Sequence, residues 1–328
     1  MAEIVARPKP FGAKLREAGG RFIRHENGVL VTILVGIIAA LGGMTRGATL
    51  TVGNAKNVWL QSSTRGIASI GQLFVILTAG IDLSVGGLGL MVAILGASLM
   101  TGKTGLPLGD IAIMLLFGIG IGAANGSLVS RVPMPALIAT LGMWQMTQGG
   151  AFLICRGRTI HHLPEAVNFF GGGEVAGVPV PVIIFISVAV AAYFVLYHTT
   201  FGRSVYAVGG NPASAWLSGI KVPNMLFSVY CISGFMGALA GFILMSRTMC
   251  GGMNTVMGLE LDSIAAVCIG GVSLMGGRGT LLGAILGVLI LGVINNGMNV
   301  VALPPAYQDV VKGAIIVVAV AVDYRRRR

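Results

Sequence analysis

The chain is 328 residues long, 55% hydrophobic and only 10% charged, with 22 Lys and Arg against 11 Asp and Glu. Soluble globular chains are about one-quarter charged, so this composition, with a mean hydropathy of +0.88, excludes that class and implies a polytopic membrane protein. The net charge of +11 lacks the interleaved aromatic and basic surface of a nucleic-acid binder, and the placement of charges relative to a bilayer explains it better.

Residues 1–28 include RPKPFGAKLREAGGRFIRHEN and read as a cytoplasmic lead-in rather than a signal peptide, because they carry acidic residues and no cleavage site follows the first apolar run. Measured against a span of about 20 residues, apolar runs follow at 29–44, 58–80, 84–100, 109–130, 136–154, 181–197, 225–247, 259–274, 280–302 and 308–322. These make ten candidate spans in one transmembrane domain, 29–322, with no polar segment long enough for an aqueous domain. The 51 glycines suit membrane helices that pack closely. An even number of spans puts both termini on one side. With the N-terminus inside, about 14 basic residues fall on cytoplasmic segments against about 6 outside, and the basic tail DYRRRR at 323–328 belongs to the inner face.

Along the chain, Asp82 in ILTAGIDLSVGGLGL falls at the inner junction of the second and third spans. There it is either solvated or caps the helix that begins at Leu83-Ser84, accepting from freed N–H groups. The run ASLMTGKT, 97–104, fits a permissive phosphate-loop pattern. It ends a membrane helix on the outer side and continues into Leu106-Pro107, so it reads as a chance match. Asn125-Gly126 in the fourth span is followed by Pro133, and Asn296-Gly297 in the ninth by Pro304 at the same spacing. The fourth span runs inward and the ninth outward, which predicts the inverted-topology repeat that transporters build around a central pathway. Asn125, Gln145, Gln148, Asn295 and Asn296 are candidates for lining that pathway, and equally for interhelical hydrogen bonds.

In the outer segment CRGRTIHHLPEAVNFFGGGEVAGVPVP, His161 and His162 are adjacent and no third ligand is near, so no metal site is expected. The four cysteines lie far apart without a CxxC, which reads as small buried apolar side chains. The longest internal cytoplasmic connection, about 198–224, contains the breaker and helix start Gly209-Gly210-Asn211-Pro212 and a short helix-compatible run to Ser218-Gly219. It is either a docking element for a cytoplasmic partner or an ordinary linker. Glu260 and Asp262 open the eighth span from the outer side, placed to cap it, and Asp309 and Lys312 stand three apart, placed to pair. With Arg65 and Asp82 these are the ionisable residues within the spans, and structural roles outweigh a proton relay for them. No Ser/His/Asp or Cys/His set stands out, so no catalysis is expected of this chain alone.

The blocks GIDLSVGG, LGMWQMTQGG, GGNPASAWLSGI, ISGFMGALAG and GLELDSIAAVCIGGVSLMGGRGTLLGAILGVLILGVINNGMNV occur in this order. Over about residues 59–322 the chain resembles the membrane permease subunits of ribose-type bacterial ABC importers. The resemblance implies an all-α importer permease of about ten helices, paired with a second permease subunit in the bacterial inner membrane. It also implies a separate cytoplasmic ATP-binding cassette subunit, which holds ATP and Mg so that this chain needs no cofactor, and a periplasmic binding protein that delivers a monosaccharide. The docking segment carries over onto Asn211, Ser214, Ala215, Leu217, Ser218 and Gly219. Such permeases usually carry Glu and Arg in this segment, where this chain has Ala213 and Trp216. A charge-stripped docking helix implies a more apolar groove on its ATPase, with Trp216 as the interface anchor. The candidate pathway or helix-junction residues are Asp82, Ser84, Asn125, Gln145, Gln148, Glu260, Asp262, Asn295 and Asn296. An ion-coupled secondary transporter would need ion-binding carboxylates near the midplane and would work without ATP. A scaffold subunit would explain the docking loop but not the ordered breaks and amides. Nucleosides or other sugar-like solutes fit the importer reading as well.

Overall fold

The computed structural model describes residues 26–325; most of the expected lead-in and the last three residues of the tail lie outside the described residues. Within them the chain forms α1 (Glu26–Met44), α2 (Val52–Leu77), α3 (Ser84–Met100), α4 (Leu108–Ser130), α5 (Ala136–Cys155), α6 (Glu165–Gly172), α7 (Val180–His198), α8 (Thr200–Gly210), α9 (Pro212–Leu217), α10 (Val222–Thr248), α11 (Leu259–Ile269), α12 (Leu281–Val300) and α13 (Pro305–Arg325). A small antiparallel hairpin, β1 (Glu174–Val175) with β2 (Val178–Pro179), precedes α7. Ten of these helices overlie the ten apolar runs, and five of them, α1, α4, α7, α10 and α12, are long and apolar enough to cross a membrane by composition alone. The fold is all-α and multi-pass.

Two boundaries differ from the hydropathy reading for local reasons. α2 begins at Val52 because the Thr51 hydroxyl accepts from the Asn54 N–H at 3.3 Å and caps it ahead of the apolar run. α11 stops at Ile269, short of the expected 274, because Gly270 and Gly271 end it, the latter at φ 78°. The residues of the phosphate-loop match form the end of α3 and the turn after it.

Small residues set the helix directions. α4 and α10 run antiparallel, with Gly118 against Ala238 and Gly126 against Phe227, while α10 runs parallel to α3, with Gly237 against Val85 and Gly241 against Gly89. The chain from Gly251, beside Ala97, to Glu260, beside Gly86, descends α3 in the opposite sense, and α11 then lies antiparallel to α12 through Ala266–Gly287 and Gly270–Gly283. α4 and α12 therefore run in opposite senses, as a repeat around Asn125 and Asn296 requires.

One end of the bundle gathers α8, the end of α7 and the starts of α1 and α12: Tyr206 Oη donates to the Gly279 carbonyl at 3.0 Å, Tyr197 Oη accepts from the Leu281 N–H at 3.1 Å, and Asn27 meets Thr280. α13 starts at the far end, where Gln308 Nε2 donates to the Leu303 carbonyl at 2.8 Å. Both ends of the described chain thus lie at the α8–α9 end. The core sits between α2, α3 and α10, around the fully buried Ile67, Phe74, Leu88 and Tyr230. The outward sides of α4 and α7 carry Leu116, Ile186, Val190 and Phe194.

Candidate functional site

Asn211 divides α8 from α9: its side-chain oxygen accepts from the Ser214 N–H at 3.0 Å, and Pro212 occupies the first helical position. The six-residue α9 ends where the Ser218 N–H reaches the Ser214 carbonyl at 3.1 Å and Gly219 turns at φ 85°. Ala215 is buried beneath it, whereas Trp216 and Leu217 are 67% and 78% exposed. α8, which sequence reasoning missed, had a legible signal in its start: the Thr199 hydroxyl accepts from the Gly202 N–H at 3.2 Å. Gly209 on α8 lies so close to the Leu77 carbonyl and the Gly277 N–H that a Cβ there would collide with both. The Gly277 N–H itself donates to the Leu77 carbonyl at 2.9 Å. The end of α8, from which the exposed helix continues, is therefore fastened to the end of α2 and to loop 270–280, which leads from α11 into α12.

Asp82 lies in the non-helical link 78–83 and is fully buried. Its Oδ1 accepts from the Ser84 N–H at 3.0 Å and Ser84 Oγ at 2.6 Å, and its Oδ2 accepts from Ser233 Oγ on α10 at 2.7 Å. Asn125 Nδ2 on α4 donates to Ser84 Oγ at 2.8 Å. The Gln72 amide on α2, oriented to satisfy both groups, spans the Asp82 N–H and C=O at 3.1 Å each. On either side, the Leu83 N–H donates to Thr140 Oγ1 on α5 at 3.2 Å, and Tyr230 Oη donates to the Ile81 carbonyl at 3.4 Å. Five helices meet on this link. Of the two readings of Asp82, solvated or accepting at the helix start, the first is corrected because α10 and α4 close over it, and the Ser84 N–H bond is of the second kind; sequence offered no sign of Gln72 or Ser233 as its partners.

A second polar group joins α2, α11 and α13. Arg65 Nε meets Asp262 Oδ2 at 2.9 Å, and Lys312 Nζ lies 4.0 Å from Asp262 Oδ1 and 3.8 Å from Asp309 Oδ1. Arg65 is the fourteenth of the 26 residues of α2, the midpoint of a helix about 39 Å long at ~1.5 Å per residue. Of the capping role expected of Glu260 and Asp262, that of Asp262 is corrected; Gly258 stands at the α11 N-cap with no side-chain cap bond, and the Glu260 carboxylate accepts from its own N–H in the first turn. Asp262 turns to Arg65 instead, and Glu260 points into the space beside Gly86. The signal for the pair was the need of a charge at that depth for a partner.

The candidate amides do not gather at one place. Asn125 is held at the Asp82 link, and Asn296 exchanges two hydrogen bonds with Asn54, at 2.8 and 2.9 Å. Asn295 is buried, while Gln145 is exposed and Gln148 half-buried on α5.

A bundle of apolar helices tied by polar links at depth, with an exposed apolar helix at one end, is that of a multi-pass membrane protein. The family described as the permease component of branched-chain amino acid transport systems matches residues 54–320, and the chain belongs to this family. It is 37% identical over 303 residues to the ribose import permease protein RbsC of Escherichia coli (strain K12), covering 91% of this chain and 93% of that protein. It is 37% identical over 310 residues to the fructose import permease protein FrcC of Rhizobium meliloti, covering 90% and 83%. Against the L-arabinose ABC transporter permease protein AraH of Azospirillum brasilense it is 34% identical over 316 residues, covering 96% and 92%. No solved structure matches.

Proposed function

We propose that this chain is the transmembrane subunit of an ATP-driven importer and forms, with a second permease subunit, the pathway for a monosaccharide delivered by a periplasmic binding protein. The observation that carries the reading is the exposed Trp216–Leu217 surface of α9, fastened through Gly209 to loop 270–280. A capped, uncharged helix presented this way suits docking on a cytoplasmic ATP-binding cassette subunit, which holds ATP and Mg. The family description speaks of branched-chain amino acids, but the relatives that match across most of the chain are named for ribose, D-allose, fructose and L-arabinose, which favours a sugar. The α8–α9 end, with both described termini, faces the cytoplasm of a bacterial inner membrane. ATP binding closes the cassettes and shifts α9; loop 270–280 passes the shift to α11 and α12, and the two permease subunits rock between outward and inward access. Substrate crosses without covalent chemistry, its affinity residing in the binding protein.

The test is purification of the tagged chain from its native membrane in mild detergent, with partners identified and ATPase activity assayed in wild type and Trp216→Ala. Wild type brings down an ATPase whose activity a periplasmic binding protein raises. Trp216→Ala, exposed and therefore harmless to insertion, loses about 2 kcal/mol of that association, roughly thirty-fold. Unchanged association and transport in Trp216→Ala would remove it as the anchor, and purification without any ATPase would remove the importer reading.

A further inference from the structure

We infer that the face formed by α5, α3 and α11, together with the non-helical segment 251–258, is the wall of the water-filled translocation pathway, and that Glu260 is the carboxylate it presents to a polyhydroxylated solute; the inference rests on the permease reading above. Two observations fall on this face and one on its α11 edge, where Asp262 meets Arg65 of α2 and Lys312 of α13. The first is charge at depth. Arg65, at the midpoint of α2, and Lys312 keep 27% and 26% of their side chains accessible around the nearly buried Asp262. A charge open to hydrocarbon at that depth costs several kcal/mol, so these groups border water or protein, not lipid.

The second is backbone. Residues 251–258 lie between α10 and α11 without helical bonding, yet they run beside α3 from Ala97 towards Gly86, a depth of about 16 Å at ~1.5 Å per residue. Irregular backbone is tolerated at such depth only inside protein or along a water-filled cavity. Asn254 and Met257 on this segment are exposed, Met257 by 75%, so the segment borders open space.

The third is Glu260. Its carboxylate fills the space that Gly86 leaves, where a Cβ would strike it, and among the described residues no cation pairs with it, since Arg65 turns to Asp262 and Lys312 to Asp262 and Asp309. The next residue of α3, Gly87, packs on Trp144 and Thr147 of α5, the helix that carries Gln145 exposed and Gln148 half-buried. The strip thus sets two amides and one carboxylate, acceptors and donors suited to hydroxyl groups, among exposed apolar side chains such as Met146, Met257 and Leu261, whereas the exposed sides of α4 and α7 carry Leu116, Val190 and Phe194. Its side chains are spaced along the strip rather than closed into a cage, as transit of a loosely held solute requires.

The test places single cysteines at Met257 and Leu261 on the wall and at Leu116 and Val190 as lipid-facing controls, 75%, 52%, 65% and 63% exposed, in a chain lacking its native cysteines. Membrane vesicles carrying the assembled complex are treated with cationic and anionic methanethiosulfonate reagents, nucleotide-free and after ATP–vanadate trapping. Such reagents need a hydrated thiolate, so the wall positions label at least about ten-fold faster than the controls, at rates that change on trapping. The Leu261→Cys site prefers the cationic reagent by several-fold, and Glu260→Gln removes that preference. Wall positions that label no faster than the controls, or a cation preference that survives Glu260→Gln, would overturn the inference. ATPase association and ATP-driven uptake are scored on the same vesicles: if they persist while labelling fails, only the wall is wrong, and if they are absent while labelling succeeds, only the importer reading is wrong.

Discussion

Asp82→Ala is expected to abolish assembly of the permease, whereas Asp82→Asn yields a folded protein of reduced stability. Removing the carboxylate orphans the Ser84 N–H, the Ser84 hydroxyl and the Ser233 hydroxyl in a site with no access to water. Each buried donor left unpaired costs about 1–3 kcal/mol, and whole domains are stable by only about 5–15 kcal/mol. The loss also frees Ser84 from the geometry in which it accepts from Asn125, so α3, α4 and α10 part together. Asparagine keeps one oxygen for Ser84, and the Ser233 hydroxyl rotates to accept from the new amide, so most bonds survive. Size-exclusion profiles and thermal melting of detergent extracts read the difference. Full, equal activity in both variants would remove Asp82 as the pin of the five-helix junction.

Asp262→Ala is expected to be the second most damaging change, at about 3–5 kcal/mol, because it leaves the Arg65 guanidinium uncompensated at the midpoint of α2. Lys312 loses its deeper partner at the same time and keeps only Asp309, which is itself largely exposed. The paired replacement Arg65→Met with Asp262→Leu removes both charges and fills similar volume. Replacing a buried ion pair by apolar side chains is often close to neutral, so the double variant recovers most of the loss in a double-mutant cycle. The surviving folded fraction after heating, measured for wild type, both single variants and the double, gives the coupling; additive losses would show that the pair is not a unit. If α11 borders the pathway, the double variant also transports poorly despite its recovered stability.

How much of this was legible follows from what each signal measures. The helices of the bundle were readable because apolar length is a property of local sequence, and the α9 cap was readable because Asn-Pro after Gly-Gly specifies a stop and a start within a few residues. Thr51 and Gly270-Gly271 moved boundaries because hydropathy does not register a cap or a left-handed residue. Asp82 could be placed at a junction, but its burial depends on Ser233 and Asn125, which come from helices far along the chain. Arg65 and Asp262 were each visible as charges within spans, yet only the antiparallel course of 251–260 along α3 brings α11 beside α2 and shows them to be partners. The same geometry explains why Asp262 does not cap α11: at mid-depth a carboxylate gains more from a guanidinium than from a helix start.

The most direct measurement is uptake of radiolabelled ribose, D-allose, fructose or L-arabinose into proteoliposomes that contain this chain with its co-purified ATPase and binding protein. Uptake of one of these sugars should require ATP inside the compartment that the α8–α9 end faces, require the binding protein on the other side, and persist when proton and sodium gradients are collapsed. Uptake by the permease chain alone, driven by an ion gradient and indifferent to ATP, would contradict the account and make Glu260 and Asp262 ion-binding carboxylates of a secondary transporter.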